Sequence, residues 1–224
     1  MTSVAGHITN RLEFPENRRE NSSNRNLYQE DPIMRVIAGT AKSTPLVSLK
    51  GAKVRPTLDR VKESLFNQIA AEIQGARFLD LFAGSGAIGI EALSRGAEEV
   101  VFVELNHRAQ AVIYQNLVKC RFLDSENEQK KLKNWILLKS NARHALDLLA
   151  ERHHQFDLVY VDPPYADDLY EETLTGLARS GLLVESAQVI AEHHHKTVLQ
   201  GNYDRLILTK NRQIGDICLS FYGF

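Results

Sequence analysis

The chain has 224 residues, enough for one α/β domain with a sizeable core, and its 27 basic and 28 acidic residues leave a net charge of −1. This composition excludes a disordered or fibrous protein, and it provides no overall positive field for nucleic acid, so any such site must use local charge. Two cysteines, Cys120 and Cys218, exclude a disulfide scaffold and suit a reducing cytoplasm. Because no apolar run approaches the ~18 residues of a membrane span, we expect a soluble cytoplasmic protein that contacts no membrane.

Residues 1–33 differ in composition from the rest of the chain. They contain five asparagines and mixed charges, and no regular period orders their few apolar side chains. Such a segment buries too little surface to offset the entropy of ordering, so we expect a disordered extension. Its acidic residues disfavour a transit peptide. The folded domain is predicted to span residues 34–224.

A basic segment, residues 34–62, opens the folded part, with seven lysines and arginines against a single acid. Short apolar runs predict brief strands here, and Thr57 is in position to cap a helix that follows. The uneven charge is typical either of a solvated surface or of one that contacts phosphates. We expect residues 34–70 to form a small basic β/α element that contacts RNA, and residues 71–224 to form the core that binds cofactor and carries out catalysis.

Beyond Gly75, short apolar runs alternate with amphipathic segments. The predicted strands are residues 78–82, 100–103, 135–138, 156–161 and 189–191, and the predicted helices are residues 88–94, 107–120, 142–152 and 169–179. Continuously apolar strands separated by helices are typical of parallel strands buried on both faces. Two closing strands, 205–209 and 217–222, are joined so tightly that they must be antiparallel. The predicted fold class is α/β, a doubly wound, Rossmann-like mixed sheet of seven strands.

A glycine-rich loop follows the first of these strands. Gly84 to Gly89 match the G-x-G-x-x-G pattern between a strand and a helix, and Glu104 ends the next strand, where a carboxylate can bind a ribose. These features alone support NAD about as well as S-adenosylmethionine. Asp80 favours S-adenosylmethionine, because a carboxylate at this place repels a pyrophosphate and attracts a cationic ligand. A turn residue and a surface acid are the plainer interpretations of Asp80 and Glu104.

The fourth strand leads directly into the sequence Asp162-Pro163-Pro164-Tyr165. In a doubly wound sheet the carboxyl ends of the strands hold the ligand, so this corner is expected to face the glycine loop. Two prolines stiffen the turn and remove two N–H donors. The Asp162 carboxylate and the Pro163 carbonyl are then two acceptors for an exocyclic base amine, and Tyr165 offers a stacking surface. A plain loop that ends a strand is the alternative.

These motifs resemble those of a known family. Asp80–Gly89 is similar to the first motif of class I S-adenosylmethionine-dependent methyltransferases, and Asp162–Tyr165 to the catalytic motif of their amino-methylating branch. Other segments resemble the bacterial RsmD-type enzymes, which methylate N2 of one guanine in 16S ribosomal RNA. Those segments are Met34–Gly39, Arg55–Phe66, Gly86–Ala97 and Gly215–Tyr222.

The resemblance, with the basic segment, implies three sets of site residues. The catalytic set is Asp162, Pro163, Pro164 and Tyr165. The cofactor-binding set is Asp80, Phe82, Ala83, Gly84, Ser85, Gly86, Glu104, Leu105, Asn141 and Ala142. The RNA-binding set is Arg35, Lys42, Arg55, Thr57 and Arg60. The implied cofactor is S-adenosyl-L-methionine, and the implied partner is 16S rRNA or a small-subunit assembly intermediate.

One position departs from the family pattern. Asn141 stands where the family usually has an acid that contacts the adenine amine, and we expect its amide oxygen to accept in that place without a charge. The run His193-His194-His195 is not expected to bind a metal, because neighbouring side chains of an extended chain point to opposite faces. We expect a metal-free monomer.

Three alternatives remain open at this point. DNA adenine-N6 methylation uses the same Asp-Pro-Pro-Tyr turn, although nothing in the chain is left for a separate DNA-reading domain. An NAD-dependent oxidoreductase explains the glycine loop but neither the turn nor the basic segment. A non-catalytic RNA-binding module is the third, and binding of labelled S-adenosylmethionine would separate it from an enzyme.

Overall fold

The fold is that of a computed structural model, which describes residues 28–29, 34–49, 56–124, 132–164 and 167–224. The strands are β1 (Tyr28–Gln29), β2 (Ser48–Leu49), β3 (Arg77–Asp80), β4 (Glu99–Val103), β5 (Trp135–Leu138), β6 (Phe156–Val161), β7 (Leu183–His194), β8 (Asn202–Tyr203), β9 (Leu206–Ile214) and β10 (Ile217–Gly223). The helices are α1 (Pro56–Gln68), α2 (Ala87–Ser94), α3 (His107–Lys119), α4 (Ala142–Glu151) and α5 (Asp167–Arg179). Within these ranges, none of the helices has the length and apolar character needed to cross a bilayer.

Eight strands form the main sheet in the order β5-β4-β3-β6-β7-β10-β9-β8. The first five are parallel, and β10 and β9 add to β7 as antiparallel strands. From β3 the chain moves outward to β4 and β5, and it then returns to place β6 on the other side of β3. This reversal of strand order lies between β3 and β6, where ligands bind in doubly wound sheets.

Both faces of the sheet are covered, which explains the continuous apolar strands. Phe78 packs in the cluster that includes α1, α2 and α3, and its neighbour Leu79 packs in the cluster that includes α4 and α5. Because successive strand residues point to opposite faces, a strand buried on both sides has no polar alternation. The α/β doubly wound fold predicted from the sequence is confirmed.

The structure differs from the predicted elements in several places. β9 covers Leu206–Ile214, beyond the predicted 205–209, and Tyr28–Gln29 of the predicted disordered extension pair with β2 as the antiparallel strand β1. The sheet has eight strands rather than seven, because the two residues of β8 pair with β9 at its edge. β7 extends over Leu183–His194, well beyond the predicted core of residues 189–191. α1 begins at Pro56, so Thr57 is the second residue of the helix and not its cap. Proline suits the first helical position, where its missing N–H is not needed.

The segment 34–49 is fastened to α2 by buried polar groups. Glu91, fully buried, accepts backbone N–H bonds from Ile37 at 2.7 Å and Ala38 at 2.9 Å. Lys62 lies 3.5 Å from the same carboxylate and donates to the carbonyl of Arg35 at 2.5 Å. Because a buried charge is tolerated only when it is paired and hydrogen-bonded, this cluster fixes the path of the segment against the helix.

A second buried contact joins this segment to the glycine loop. Asn116 of α3 accepts from the N–H of Val47 at 2.8 Å and donates to the Val47 carbonyl at 3.0 Å. The same amide group donates to the Ser85 carbonyl at 2.9 Å. Since Val36 and Leu46 also belong to the core cluster of α1, α2 and α3, residues 34–49 share one hydrophobic core with the sheet.

Candidate active site at the ends of β3 and β6

A cavity of about 1940 Å³ opens at the carboxyl ends of the central strands. Gly84 of the glycine loop lines it on one side, and Asp162, Pro163 and Pro164 line it on the other. A smaller cavity of about 190 Å³ has Gly84 and Asp162 in its wall as well, together with Asp80. The structure therefore brings the two sequence motifs to one space, at the point where the strand order reverses.

The glycine loop uses each of its glycines differently. Gly84 and Gly86 have positive φ values of 53° and 77°, which glycine adopts without strain, and a Cβ on Gly84 would meet no atom within 4 Å. Gly89 instead packs against β4, since a Cβ there would lie 2.2 Å from the Phe102 ring. The loop thus leaves open space above Gly84, while Gly89 allows the helix to approach the sheet.

Glu104 is held against this loop by two backbone donors. Its carboxylate accepts from the N–H of Gly84 at 2.8 Å and from the N–H of Asn106 at 2.6 Å. Each carboxylate oxygen retains a second acceptor site, because a carboxylate can accept about four hydrogen bonds. The side chain lines the large cavity and is therefore positioned to accept from two neighbouring hydroxyl groups.

Asp80 is a buried acid at the end of β3. Only 1% of its surface is exposed, and one oxygen accepts from the N–H of Gly89 at 3.1 Å. Burial, opposed by the bond from Gly89 and assisted by the nearby Glu104 carboxylate, raises the pKa of Asp80 to about 7. A buried carboxylate without a positive partner favours the binding of a cation, because a cation offsets the cost of its desolvation.

The remaining predicted cofactor residues line the same region. Phe82, Leu105 and Ala142 contribute to the large cavity, and Leu105 is 67% exposed there. Ala83 and Ser85 lie in the wall of the smaller cavity. Gly86 is the N-cap residue of α2.

Asn141 has a structural task that the sequence did not reveal. Its amide oxygen accepts from the N–H of His144 at 2.8 Å and so caps the N-terminus of α4. The side chain is exposed and lines the large cavity. One acceptor site of the oxygen is therefore already used, and a ligand amine would have to share this atom with the helix.

Three carboxyl groups and a phenol crowd the site around Asp162. Asp162 is open to solvent through the cavity, but protein surrounds it on the other sides, and Glu192 and Asp80 lie nearby. Desolvation, followed by these two like charges, raises the pKa of Asp162 well above its usual value. Burial raises the pKa of Glu192 as well. The hydroxyl of Tyr160 donates to one oxygen of Glu192, which holds that carboxyl group in place.

Glu192 lines both cavities and was not among the residues predicted from the sequence. The available signal was an acid directly after the apolar run Val189-Ile190-Ala191, the same pattern that identified Asp80 and Asp162. We predicted β7 to end at residue 191, and the acid beyond it was not considered. Its position at the carboxyl end of a central strand is what makes it part of the site.

The predicted RNA-binding residues are placed unevenly. Arg60 of α1 is exposed and lines the rim of the large cavity, which Leu49 of β2 also lines. Arg35 and Lys42 are exposed on the segment 34–49 and do not line this cavity. Arg55 and Tyr165 lie outside the described residues, and of Thr57 only the helical backbone is described.

The three consecutive histidines are not evenly spread, because the rings of His194 and His195 lie with their centroids 4.4 Å apart. His193 is buried and shares a hydrogen bond of 2.8 Å with Ser220, whereas His194 and His195 are exposed. Over the residues that the structure describes, no three histidine, cysteine or acidic side chains are grouped so that they could hold a metal ion.

A protein-family model described as "Conserved hypothetical protein 95" matches residues 34–223 of the chain. The chain belongs to this family. The matched region begins at Met34, where the sequence predicts that the folded domain begins, and residues 1–33 lie outside it.

Named relatives agree with the RsmD-type resemblance. The ribosomal RNA small subunit methyltransferase D of Haemophilus influenzae is 36% identical over 161 residues, which are 71% of this chain and 78% of that protein. The protein of the same name from Escherichia coli is 35% identical over 159 residues, 71% and 74% of the two chains. YlbH of Bacillus subtilis is 35% identical over 189 residues, 84% and 98% of the two chains. The family predicted from the motifs is confirmed.

Solved structures share the fold. A hypothetical protein of Thermus thermophilus, TTHA0928, superimposes with a TM-score of 0.70 at 25% identity, over 85% of this chain and 99% of that one. The Escherichia coli protein yhhF gives a TM-score of 0.68 at 28% identity, over 84% and 96%. A SAM-dependent methyltransferase from Agrobacterium tumefaciens, 15% identical with a TM-score of 0.58 over 80% and 67%, shows the same fold.

Proposed function

We propose that this protein is an rRNA methyltransferase that transfers a methyl group from S-adenosylmethionine to N2 of a guanine in 16S rRNA. The observation that carries the proposal is the common cavity of Gly84 and Asp162, because methyl transfer requires the donor and the acceptor nitrogen in one space. Two relatives are named ribosomal RNA small subunit methyltransferase D, which supports rRNA of the small subunit as the class of substrate.

The residues on the glycine side fit S-adenosylmethionine. That cofactor would supply a methyl group on a positively charged sulfur, which departs as a neutral thioether. Asp80 provides the buried negative charge for a cationic ligand, and Glu104 provides acceptors for the ribose hydroxyls. Gly84 leaves the backbone open to close approach, and the apolar side chains of Phe82 and Leu105 offer surfaces for the adenine ring.

On the opposite side, Asp162 and the carbonyl of Pro163 would orient the amine. The lone pair of a base amine is delocalised into the ring, so the nitrogen attacks poorly while it stays planar. Acceptors that bind its two hydrogens outside the base plane pull the nitrogen toward a tetrahedral form, which directs the lone pair at the methyl group. When the new C–N bond forms, the nitrogen becomes cationic and releases a proton to Asp162 or to water. No strong base is required.

The basic element would hold the RNA at the mouth of the cavity. Arg60 lies on the rim, and Arg35 and Lys42 extend positive charge over the surface of the segment 34–49. Phosphates are recognised by charge of this kind, and the positively charged element stands out in a chain with a net charge of −1. We assign residues 34–70 to RNA binding and residues 71–224 to the cofactor and the chemistry, with Arg55, Thr57 and Tyr165 as the remaining proposed contacts.

Tritiated methyl transfer tests the proposal. The protein is incubated with labelled S-adenosylmethionine and, in separate reactions, naked 16S rRNA, 30S particles that lack the modification, or duplex DNA, and each product is digested to nucleosides. Label in N2-methylguanosine supports the assignment. Label in N6-methyladenine of a DNA substrate, or cofactor binding without any transfer, would overturn it.

A further inference from the structure

The carboxyl group of Glu192 presents one free oxygen to the cavity. The residue is 8% exposed, and its Oε2 accepts the hydroxyl of Tyr160. Among the described residues, Oε1 has no hydrogen-bond partner. Because no side-chain oxygen or nitrogen among them is both fully buried and without a partner, Oε1 must be accessible to solvent. Oε1 is therefore reachable from the cavities that Glu192 lines.

The strand register places Glu192 beside Asp162. β6 and β7 are parallel, and Val161 pairs with Ala191, so the next residues along each strand are neighbours at the sheet edge. Adjacent strands lie about 4.8 Å apart. The bond from Tyr160, two residues before Asp162, to Glu192 shows that these side chains extend from the same face of the sheet. Two carboxyl groups thus stand side by side above the strand ends.

Such a pair matches the hydrogen-bonding edge of guanine. Guanine presents two neighbouring donors there, the N1–H and the N2 amine, whereas adenine presents its N6 amine beside N1, which is an acceptor. We propose that Glu192 is a specificity-determining residue that accepts the N1–H of the target guanine, while Asp162 accepts from the amine that is methylated. This inference rests on the proposed function and adds the residue that selects the base.

The surroundings of Glu192 support a role as an acceptor. The Tyr160 hydroxyl donates to it, and a donor favours the ionised carboxylate. Burial raises the pKa of Glu192 and thereby opposes ionisation until a further donor binds. The N1–H of guanine supplies that donor to the carboxylate, whereas the N1 lone pair of adenine repels the carboxylate and can be accommodated only when Glu192 is protonated. Guanine is selected over adenine because binding adenine would leave the buried carboxyl group of Glu192 without a hydrogen-bond donor, which costs binding free energy.

The test uses a target base that keeps the N2 amine and changes only the neighbouring edge. Once mass spectrometry of ribonuclease fragments has located the methylated guanine, the substrate is prepared with guanine or with 2,6-diaminopurine at that position. 2,6-Diaminopurine retains the N2 amine but has an acceptor at N1 and an amine in place of the C6 carbonyl, so the variant described below is needed to assign a preference to N1. We expect the wild-type protein to prefer guanine by at least about 10-fold in kcat/KM. Equal use of both bases would overturn the inference without reference to any variant.

The variant Glu192→Gln should change this preference. Its amide oxygen can still accept from Tyr160, and its NH2 group can donate to the N1 of 2,6-diaminopurine, so the guanine preference should fall at least about 10-fold. Glu185→Gln, an exposed change on the same strand, is the matched control and should leave the preference unaltered. A preference unchanged in Glu192→Gln, whatever its absolute rate, would refute the role of Glu192.

The two proposals fail in different ways. If the wild-type protein methylates no guanine in any RNA, the proposed function itself is wrong. If it forms N2-methylguanosine but uses 2,6-diaminopurine equally well, only the role of Glu192 is wrong. Circular dichroism and binding of S-adenosylmethionine establish that Glu192→Gln is folded, and equal use of both bases by the wild-type protein refutes the role of Glu192 even if the variant is not.

Discussion

The fold places the Asp80 carboxyl group where burial disfavours its ionised form. It lies at the end of a central strand, is almost fully buried, and no cation of the described chain pairs with it. Its pKa of about 7 means that ionising it costs the folded protein stability as the pH rises from about 4 to 7. Residues that weaken the fold in this way are typical of binding sites, where a ligand provides what the protein lacks.

Replacing Asp80 by asparagine should therefore stabilise the protein at high pH. Below the unfolded-state pKa, wild type and Asp80→Asn should differ little, and the advantage of the variant should grow by about 2–3 kcal/mol between pH 5 and pH 8. Urea unfolding at the two pH values measures it. The exposed change Asp147→Asn is the control. The same Asp80→Asn variant should bind S-adenosylmethionine more weakly, and unaltered binding would contradict the assignment of Asp80 to the cofactor.

Asp162 is expected to act on the reaction and not on cofactor binding. Replacing it with alanine removes one of the two acceptors that orient the amine, so turnover should fall by about 100-fold or more. The affinity for S-adenosylmethionine should stay within a few-fold of wild type. Single-turnover kinetics and equilibrium binding separate the two effects. If Asp162→Ala instead loses cofactor affinity while keeping its turnover, Asp162 belongs to the glycine side of the cavity.

At the scale of elements, the segment 34–49 depends on one buried carboxylate. Glu91 joins this segment, Lys62 of α1 and Arg95 at the end of α2, with Arg95 donating at 2.8 Å. Gly39 fits only because it lacks a side chain, since a Cβ would lie 1.9 Å from the Ser94 carbonyl oxygen. The path of the segment is thus determined by contacts with α1, α2 and α3 more than by its own short strands.

The variant Glu91→Gln should be strongly destabilised. It leaves the buried Lys62 without its counter-charge, and breaking a buried pair of this kind costs about 3–5 kcal/mol. Chemical denaturation of Glu91→Gln beside the exposed control Glu72→Gln measures the loss. The additional change Lys62→Met should restore part of the stability, because it removes the stranded charge. A double variant no more stable than Glu91→Gln would argue against this explanation.

Elements also show what the sequence could and could not predict. The central strands and helices were predicted to within a few residues, because apolar runs buried on both faces have no competing interpretation. The first half of β7 escaped prediction, since exposed residues such as Glu185 and Ser186 interrupt its apolar pattern. β8 has only two residues and no periodic signal. The acid Glu192 after an apolar run could have been noticed in the sequence, but its bond from Tyr160 could not be predicted, because the two residues are distant in sequence and adjacent only across the sheet.

For the molecule as a whole, the uneven distribution of charge matters more than its sum. The net charge of −1 gives no long-range attraction for RNA, so binding should depend on a few local contacts. Arg60 is the proposed contact nearest the cavity. The predicted cytoplasmic location, the monomeric state and the absence of a metal remain predictions.

The salt dependence of RNA binding tests the role of Arg60. Each phosphate contact contributes about one unit to the slope of log K against log salt, so Arg60→Ala should weaken binding and reduce the slope by about one. Adding Arg55→Ala should reduce it by about one more. Arg152→Ala, an exposed arginine at the end of α4, is the control. An unchanged slope in Arg60→Ala would place the RNA on another surface.

The amide of Asn116 has a consequence for how this architecture can change during evolution or design. It bonds to Val47 and to the glycine loop at Ser85. The segment proposed to bind RNA and the loop proposed to bind the methyl donor are therefore connected through one buried side chain. Residues 34–70 therefore cannot be exchanged for those of another enzyme as a detachable module. A new target sequence would have to be acquired through exposed side chains, with the backbone beneath them unchanged.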